Sequence, residues 1–336
     1  MIDKINIANL LLTRRCNLSC NYCRIVKDIP EVSEYPLMNH YKENELSSDK
    51  WIEIISRLKK NNPNIFLVIY GGEPFLYNGL SDVINYCHSN SVYYTVISNN
   101  TDGIQKRIEK VRQEIGGVFK GFTSSVDPLI FSSSNQTSDE AEKSYKGFNR
   151  LLEMKKSGKA EDVVAEITVT KYSIQYLYQL IRTLSDNGIY SSVTVIDKQK
   201  TKYYDFSTVD DEDLLVQKNN GVRNEFDKIQ KDDSLLIHIP KMLDQMYDDL
   251  PYNMKCTLKE NVHNVTIDAD GSFRLCLRIR GVDIPKVKLD NIIDVNGNIQ
   301  KEVKESINKD YDNYCRNCLW TCMYFSDKFS DNILNH

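Results

Sequence analysis

The chain has 336 residues, 41% hydrophobic and 27% charged, with a net charge of −4 at pH 7. That length buries a sizeable core and predicts one large domain plus a smaller one, in a composition typical of globular proteins. The balance of charge leaves no electrostatic footprint for nucleic acid, no run approaches the ~20 apolar residues that span a bilayer, and Met1-Ile2-Asp3-Lys4 lacks the layout of a signal peptide, so a cytoplasmic protein is expected.

Ile5 to Leu12 reads as a strand and is followed by Cys16, Cys20 and Cys23 in a loop. Residues 24–47 contain Pro30 and Pro36 and read as an extended loop. Ser47 or Ser48 is placed to cap a helix starting near Asp49, with Trp51, Ile54, Ile55 and Leu58 on one face. Ile65 to Tyr70 is a β-rich run that stops at Gly71-Gly72-Glu73-Pro74. A helix over 79–89 leads to a strand, Val92 to Ile97, closed by Ser98-Asn99-Asn100. Helices over 103–115, 139–157 and 173–187 then alternate with strands at Val118 to Val126, Val163 to Thr170 and Ser192 to Ile196, and Gly188 suits a helix C′ position.

Six strands alternating with helices imply a parallel sheet with crossover helices. The chemistry-bearing residues all follow strand ends, where α/β barrels place their sites. Six units fall short of a closed eight-stranded barrel. The expected fold is therefore α/β, a partial (β/α)6 TIM-type barrel followed by a small C-terminal domain made of a β-hairpin plus helix. Its parts are a core over 1–210, a helical linker over 211–250 and a cysteine-bearing domain over 251–336. In the last, Val265 to Cys276 alternates about an Asp270-Gly271 turn, the signature of a hairpin.

Nine cysteines in a reducing compartment point to metal binding or catalysis more than to disulfides. Cys87 stands alone beside His88 in a helical stretch and reads as a small buried residue. Cys16, Cys20 and Cys23 are too close together for a set of disulfides and suit one compact metal object. Zinc normally closes with four ligands as two separated pairs, and a redox Cys-x-x-Cys leaves Cys16 without a role. Iron–sulfur clusters take thiolate ligands. Three thiolates on a cubane leave one iron open to a small molecule.

Cys-x-x-x-Cys-x-x-Cys after a first strand, with Tyr22 just before the last cysteine, resembles the radical S-adenosylmethionine (SAM) enzymes. The resemblance implies that Cys16, Cys20 and Cys23 hold a [4Fe–4S] cluster whose open iron is chelated by the amino and carboxylate groups of SAM. It implies that the reduced cluster cleaves SAM to a 5′-deoxyadenosyl radical, which abstracts hydrogen from substrate. Gly71-Gly72-Glu73-Pro74 is similar to the family element that receives the SAM ammonium, where glycines allow close backbone approach. Ser98-Asn99-Asn100 stands where the family often has Thr-Asn-Gly, and asparagine best tolerates the left-handed backbone otherwise given to glycine. Ser125 and Asp127, in Ser124-Ser125-Val126-Asp127-Pro128, resemble a family segment that meets the SAM carboxylate. Lys143 is the nearest basic candidate for the family's downstream arginine, and Val169 and Thr170 are candidates for packing on adenine.

Cys256 is followed by fourteen residues, Gly271, four residues and Cys276, and then by Cys315-x2-Cys318-x3-Cys322. On spacing alone this also reads as a zinc knuckle. Beside a radical SAM core it resembles the auxiliary-cluster extensions named SPASM and Twitch. Five cysteines suffice for one auxiliary [4Fe–4S] cluster, with Cys256 and Cys276 as ligands and two of Cys315, Cys318 and Cys322 completing the set. Such enzymes modify ribosomally synthesised peptides or oxidise small molecules; the first reading here is modification of a peptide by a crosslink, a thioether or an epimerisation, and the alternative is a small-molecule oxidoreductase. A carbohydrate or nucleoside-like compound is the example of the second. An iron–sulfur protein without turnover fits less well, because it has no need of a SAM ammonium pocket. The implied partner is an external one-electron reductant of flavodoxin or ferredoxin type; since the triad begins at residue 16, a leader peptide is expected to be recognised by the core or by a separate leader-peptide-binding protein.

Overall fold

Short apolar strands separated by amphipathic helices must return to the same end of the sheet each time, and that requirement fixes the architecture. The structure, a computed structural model, describes residues 4–18, 20, 45–127, 130, 139–195, 200–201, 204–205, 216, 220–237, 264–274, 287–288 and 293–298. Strands β1 (Ile7–Thr13), β2 (Phe66–Gly71), β3 (Tyr93–Ser98), β4 (Phe119–Val126), β5 (Ala160–Val169) and β6 (Tyr190–Val195) pair in that order, every pair parallel. Helices α1 (Ser48–Asn61), α2 (Leu80–Ser89), α3 (Gln105–Glu114), α4 (Asp139–Lys156) and α5 (Leu177–Asp186) form the returns. The expected partial α/β barrel is what forms. No helix among the described residues is long and apolar enough to cross a membrane.

Local signals act where the sequence places them. The Ser47 hydroxyl caps α1 by accepting the Lys50 N–H at 3.4 Å. Trp51, Ile54, Ile55 and Leu58 all face the core. Gly188 closes α5 with a φ of +67°. Within the helical expectation over 211–250 a helix α6 (Asn220–Lys231) forms and ends before residues 232–237, while 211–215, 217–219 and 238–250 lie outside the described residues. Asp232 accepts the Ser234 N–H at 3.2 Å, an Asx turn that ends the helix. The chain beyond it runs alongside β6, where the Ser191 N–H donates to Leu236 O at 2.8 Å.

The expected hairpin also forms. Its strands β9 (Asn264–Ile267) and β10 (Ser272–Arg274) turn at Gly271, whose φ is +78°. The hairpin belongs to the barrel sheet itself: β9 lies parallel to β1, from Ile7 opposite Asn264 to Leu10 opposite Ile267. The parallel sheet therefore has seven strands, and β11 (Val287–Lys288) adds antiparallel to β10. Pairing with β9 covers the β1 edge, which would otherwise present open backbone groups to other chains. A two-residue ladder of β7 (Lys200–Thr201) and β8 (Tyr204–Asp205) stands apart from this sheet.

The two faces of the sheet differ. On the helix side, Phe122, Ser124, Val163, Ala165, Ile167 and Val193 are buried. On β5 the residues facing the concave side keep some exposure, so that strand alternates strictly from Val163 to Val169, while Thr123 on β4 and Ser192 on β6 are buried on that side as well. A buried ion pair ties the ends of β1 and β9 together. Arg14 grips Asp268 with two guanidinium nitrogens, Nε at 3.0 Å from Oδ1 and Nη2 on Oδ2. The Asp268 side chain is 5% exposed and that of Arg14 14%. Removing one partner of such a pair strands a charge in the interior. Asp268→Ala is expected to lower folding stability by about 3 kcal/mol, read as a fall in the denaturant midpoint. A shift under a third of that would show that Arg14 finds solvent when its partner is gone.

Candidate functional site

Three loops meet at the C-terminal ends of β1, β2 and β3. After Gly71 the chain keeps pairing with the segment beyond β1: Gly72 N–H donates to Thr13 O at 2.7 Å and Glu73 N–H to Arg15 O at 2.8 Å. A Cβ on Gly71 would overlap the Thr13 carbonyl, and one on Gly72 the Arg15 carbonyl. Both glycines are thus demanded by the protein's own backbone, a constraint the sequence did not reveal. Pro74 then opens a 3₁₀ turn, Pro74–Leu76, which drops Phe75 into the core against Phe119 at 6.0 Å and Phe122 at 6.2 Å between ring centroids. Burial of that ring contributes about 2–3 kcal/mol and anchors the loop.

Glu73 lies between these pieces with no exposure. Its carboxylate accepts from Phe75 N–H at 3.2 Å, from the Ser98 hydroxyl at 3.0 and 3.1 Å, and from Asn99 N–H at 2.9 Å. Burial pushes its pKa up to about 7, against the pull of those donors. Asn100 takes a φ of +52°, the left-handed geometry expected of it. Its carbonyl accepts from Arg150 at 2.8 Å and from Gln105 at 3.2 Å.

Asn99 connects this knot to the cysteine loop. Its side-chain amide donates to Asn17 Oδ1 at 2.8 Å and reaches Cys16 Sγ at 3.9 Å. Leu18 N–H also donates to Cys16 Sγ, at 3.4 Å, and Asn17 donates to the Thr101 hydroxyl at 2.9 Å. N–H donors on a sulfur suit a thiolate or a cluster-bound sulfur, so the surroundings of Cys16 fit an iron–sulfur ligand. The approach to Cys16 is held rigidly. Arg15 makes a two-pronged contact with Glu45, 2.8 Å on each oxygen, and Thr13 donates to the same carboxylate.

The structure therefore brings Cys16, Gly71, Gly72, Glu73, Pro74, Ser98 and Asn99 into one cluster of contacts. Ser125 is exposed on the concave face at the end of β4, with Asp127 just beyond it and Cys20 partly exposed. Lys143 falls within α4, its side chain outside the described set. Tyr22, Cys23, Cys256, Cys276, Cys315, Cys318 and Cys322 also lie outside the described residues. Among the described residues no three metal-binding side chains converge. Cys87 is fully buried in α2, and burial pushes its thiol up to about 12, as suits an inert residue. Asn17, Arg15, Glu45 and Arg150 escaped the sequence reading. The Arg14-Arg15 pair, abrupt after an apolar strand, was the available signal. Arg150 lies seven residues beyond Lys143, two helical turns on, and is the cation that reaches the Asn100 loop.

A family model described as the Radical SAM superfamily matches residues 10–198. Over 93 residues the chain is 27% identical to an S-adenosylmethionine-dependent nucleotide dehydratase of Selenomonas ruminantium, a stretch covering 28% of this chain and 29% of that protein. The chain thus spans less than a third of the length of that curated relative. Among solved structures, it is similar to Streptococcus suis SuiB bound to S-adenosylmethionine, with a TM-score of 0.60 and 14% identity over 91% of this chain and 68% of SuiB. SuiB bound to its precursor peptide SuiA gives 0.59 and 13%, over 91% and 67%. The anSMEcpe structure with bound AdoMet and the Cp18Cys peptide gives 0.53 and 16%, over 91% and 82%. At such identities these likenesses establish the fold.

The raised pKa of Glu73 has a measurable sign. The folded state holds this proton more tightly than the unfolded chain, so the group's contribution is full below its ordinary value and is lost as pH climbs to about 7. The loss is of the order of 3 kcal/mol. Glu73→Gln removes the titration but turns an amide donor toward the N–H of Phe75 or Asn99, which costs about 1–3 kcal/mol at every pH. In protein without SAM, the stability gap between wild type and Glu73→Gln should be widest near pH 5 and narrow toward pH 8. A gap that widens with pH would mean the buried carboxylate is held ionised.

Proposed function

The chain belongs to the radical SAM superfamily, and on that premise we propose that it modifies a ribosomally synthesised peptide, by a crosslink, a thioether or an epimerisation. The observation that carries the radical chemistry is the hydrogen-bonded unit of Glu73, Ser98, Asn99 and Cys16 at the C-terminal rim of the strands. Membership implies SAM and a [4Fe–4S] cluster. In this reading Cys16, Cys20 and Cys23 hold the cluster, with Tyr22 beside it. Gly71, Gly72, Glu73 and Pro74 receive the SAM ammonium, and Ser98, Asn99, Ser125, Asp127 and Lys143 meet its other polar groups. When bound, the two cofactors together supply one-electron reductive cleavage and a hydrogen-abstracting radical, while the protein supplies position and exclusion.

The chain's own residues have definite tasks in this scheme. Asn99 holds the Cys16 sulfur against the Glu73 knot. Arg15 and Glu45 keep the approach to Cys16 from swinging. Glu73, ionised as pH rises past 7, offers negative charge to a cationic group placed at its carbonyl neighbours.

The core is taken as 1–210, joined by 211–250 to a SPASM- or Twitch-like unit over 251–336. There Cys256, Cys276 and two of Cys315, Cys318 and Cys322 hold one auxiliary [4Fe–4S] cluster. The peptide reading draws support from that tail and from the folds of SuiB and anSMEcpe, both solved with peptides bound. An electron donor of flavodoxin or ferredoxin type and a leader-peptide-binding protein are its proposed partners, and the cytoplasm its proposed location. A second reading is a radical oxidoreductase acting on a carbohydrate or nucleoside-like small molecule; the Selenomonas ruminantium relative, named as a nucleotide dehydratase, supports the nucleoside-like substrate and not the oxidation.

Anaerobic reconstitution tests both layers. About eight iron atoms per chain fit two cubanes; about four would remove the auxiliary cluster from the scheme. Replacing Cys16, Cys20 and Cys23 together by alanine should abolish 5′-deoxyadenosine formation and halve the iron content. Persistent SAM cleavage in that variant would refute the core assignment. Deuterium passing from a labelled peptide into 5′-deoxyadenosine decides for the peptide, and from a labelled nucleoside for the small molecule.

A further inference from the structure

The concave face carries an acid that none of these roles uses. Ser125 on β4, Glu166 on β5 and Ser192 on β6 are register partners across three adjacent strands. In a parallel sheet such partners point to the same side. Ser124, Ala165 and Ser191, one residue earlier on each strand, are fully buried on the helix side, whereas Ser125 is exposed and Glu166 partly so. Glu166 therefore faces the hollow of the barrel. Thr194 donates to its carboxyl at 3.1 Å and Ser192 makes a second hydrogen bond.

The row continues toward the cysteine loop. Ser98 pairs with Ser124, so Asn99 and Ser125 follow side by side at the rim. Asn99 reaches Cys16 Sγ. Two strand spacings separate β3 from β5, which puts Glu166 about 10 Å across the sheet from Asn99. A group bound at Glu166 thus lies within one small molecule's length of the place where the radical would form.

A structural role explains this carboxyl poorly. Burial raises its pKa, the two hydroxyls only partly oppose that, and no cation contributes. An acid kept in such surroundings costs stability, and titratable groups held at a cost inside a hollow mark functional sites. The neighbours Ser125, Ser192 and Thr194 are neutral hydrogen-bonding groups, and they suit a neutral partner rather than a cation.

We propose that Glu166 is a substrate-contacting residue, its carboxyl group paired with a neutral amide or hydroxyl of the substrate across the hollow from Cys16. The inference rests on the reading of the rim as the place of radical formation. The test uses the full chain with its clusters reconstituted, SAM and dithionite, and two probes: a pool of synthetic peptides, and a pool of nucleosides, sugars and aminocyclitols. Each is scored by the ratio of 5′-deoxyadenosine formed with and without the pool. Stimulation by the first pool assigns the substrate as a peptide, by the second as a small polyhydroxylated molecule.

Glu166→Leu is expected to cut the stimulated ratio at least tenfold. Glu166→Gln, which keeps shape and neutral hydrogen bonding, should stay within about threefold at saturation, with a raised KM. A wild-type ratio in Glu166→Leu overturns the assignment. So does a tenfold weaker Kd for SAM, which would move the residue to the cofactor. Loss in Glu166→Gln equal to that in Glu166→Leu overturns the neutral pairing. A readout without substrate stands beside these: Glu166→Leu should unfold at or above the wild-type temperature, and a fall beyond about 5 °C would give the carboxyl to structure and overturn the proposal. Absence of 5′-deoxyadenosine from the wild-type enzyme is a separate failure, which removes the radical reading and this inference with it.

Discussion

The candidate site depends on one close approach, that of the chain leaving β2 to the chain leaving β1. Two backbone hydrogen bonds, Gly72 to Thr13 and Glu73 to Arg15, extend the β1–β2 ladder past the formal end of both strands. There is no room between them for a side chain. The ladder carries the residue just before Cys16 to a fixed distance from Glu73. Glu73 in turn fixes Ser98 and Asn99, and Asn99 returns to Cys16. The result is a closed ring of contacts across three strand ends, with the buried Glu73 at its centre. Preorganisation of this kind is what a reactive cofactor requires of its protein.

The energetic balance within that ring is close. Ionising Glu73 in its buried position costs of the order of 3 kcal/mol, and the ring of Phe75, two residues on, contributes about as much by burial. The apolar anchor and the unfavourable charge occupy the same short turn, so the turn tolerates the charge without unfolding. Arg14 and Arg15 repeat the pattern before Cys16: each is taken largely out of water and each is met by a two-pronged carboxylate. Isolated surface pairs contribute little. These are mostly buried, and their value is geometric, since a planar guanidinium fork admits few orientations. Because Asp268 belongs to the C-terminal segment, the Arg14 pair also makes the cysteine loop answer to a part of the chain some 250 residues away in sequence.

Much of the fold was legible. Periodicity located the strands and helices of the barrel, Ser47 and Gly188 marked helix ends by chemistry that acts locally, and Asp270-Gly271 marked the hairpin turn. What sequence withheld were contacts set by register between distant segments. Nothing in Asn264 to Ile267 says that it lies beside Ile7 to Leu10, because a short alternating strand pairs equally well in many places. The glycines of Gly71-Gly72 were read as a site of close approach to SAM; the approach seen within the chain is that of the segment leaving β1. Glu166 was invisible for a similar reason. In Val163 to Thr170 it is one polar residue in an alternating strand, the usual sign of a solvated face. Only the closing of β4 and β6 around it turns that face into a hollow.

That alternation explains how one sheet serves stability and chemistry together. On the helix side of β4, β5 and β6, apolar and small residues are buried between strand and helix and hold the sheet against α4 and α5. On the concave side the same strands present Thr123, Ser125, Glu166, Ser192 and Thr194, none of which the helices need. A change on that side leaves the helix packing intact, so polar groups can be placed there at modest cost. The cost concentrates where a charge is also enclosed, at Glu73 beneath the rim and at Glu166 within the hollow. Two carboxyl groups are raised by burial, one beside the cysteine loop and one across the sheet from it. The rigid β3–β4–β5 register keeps the distance between them constant.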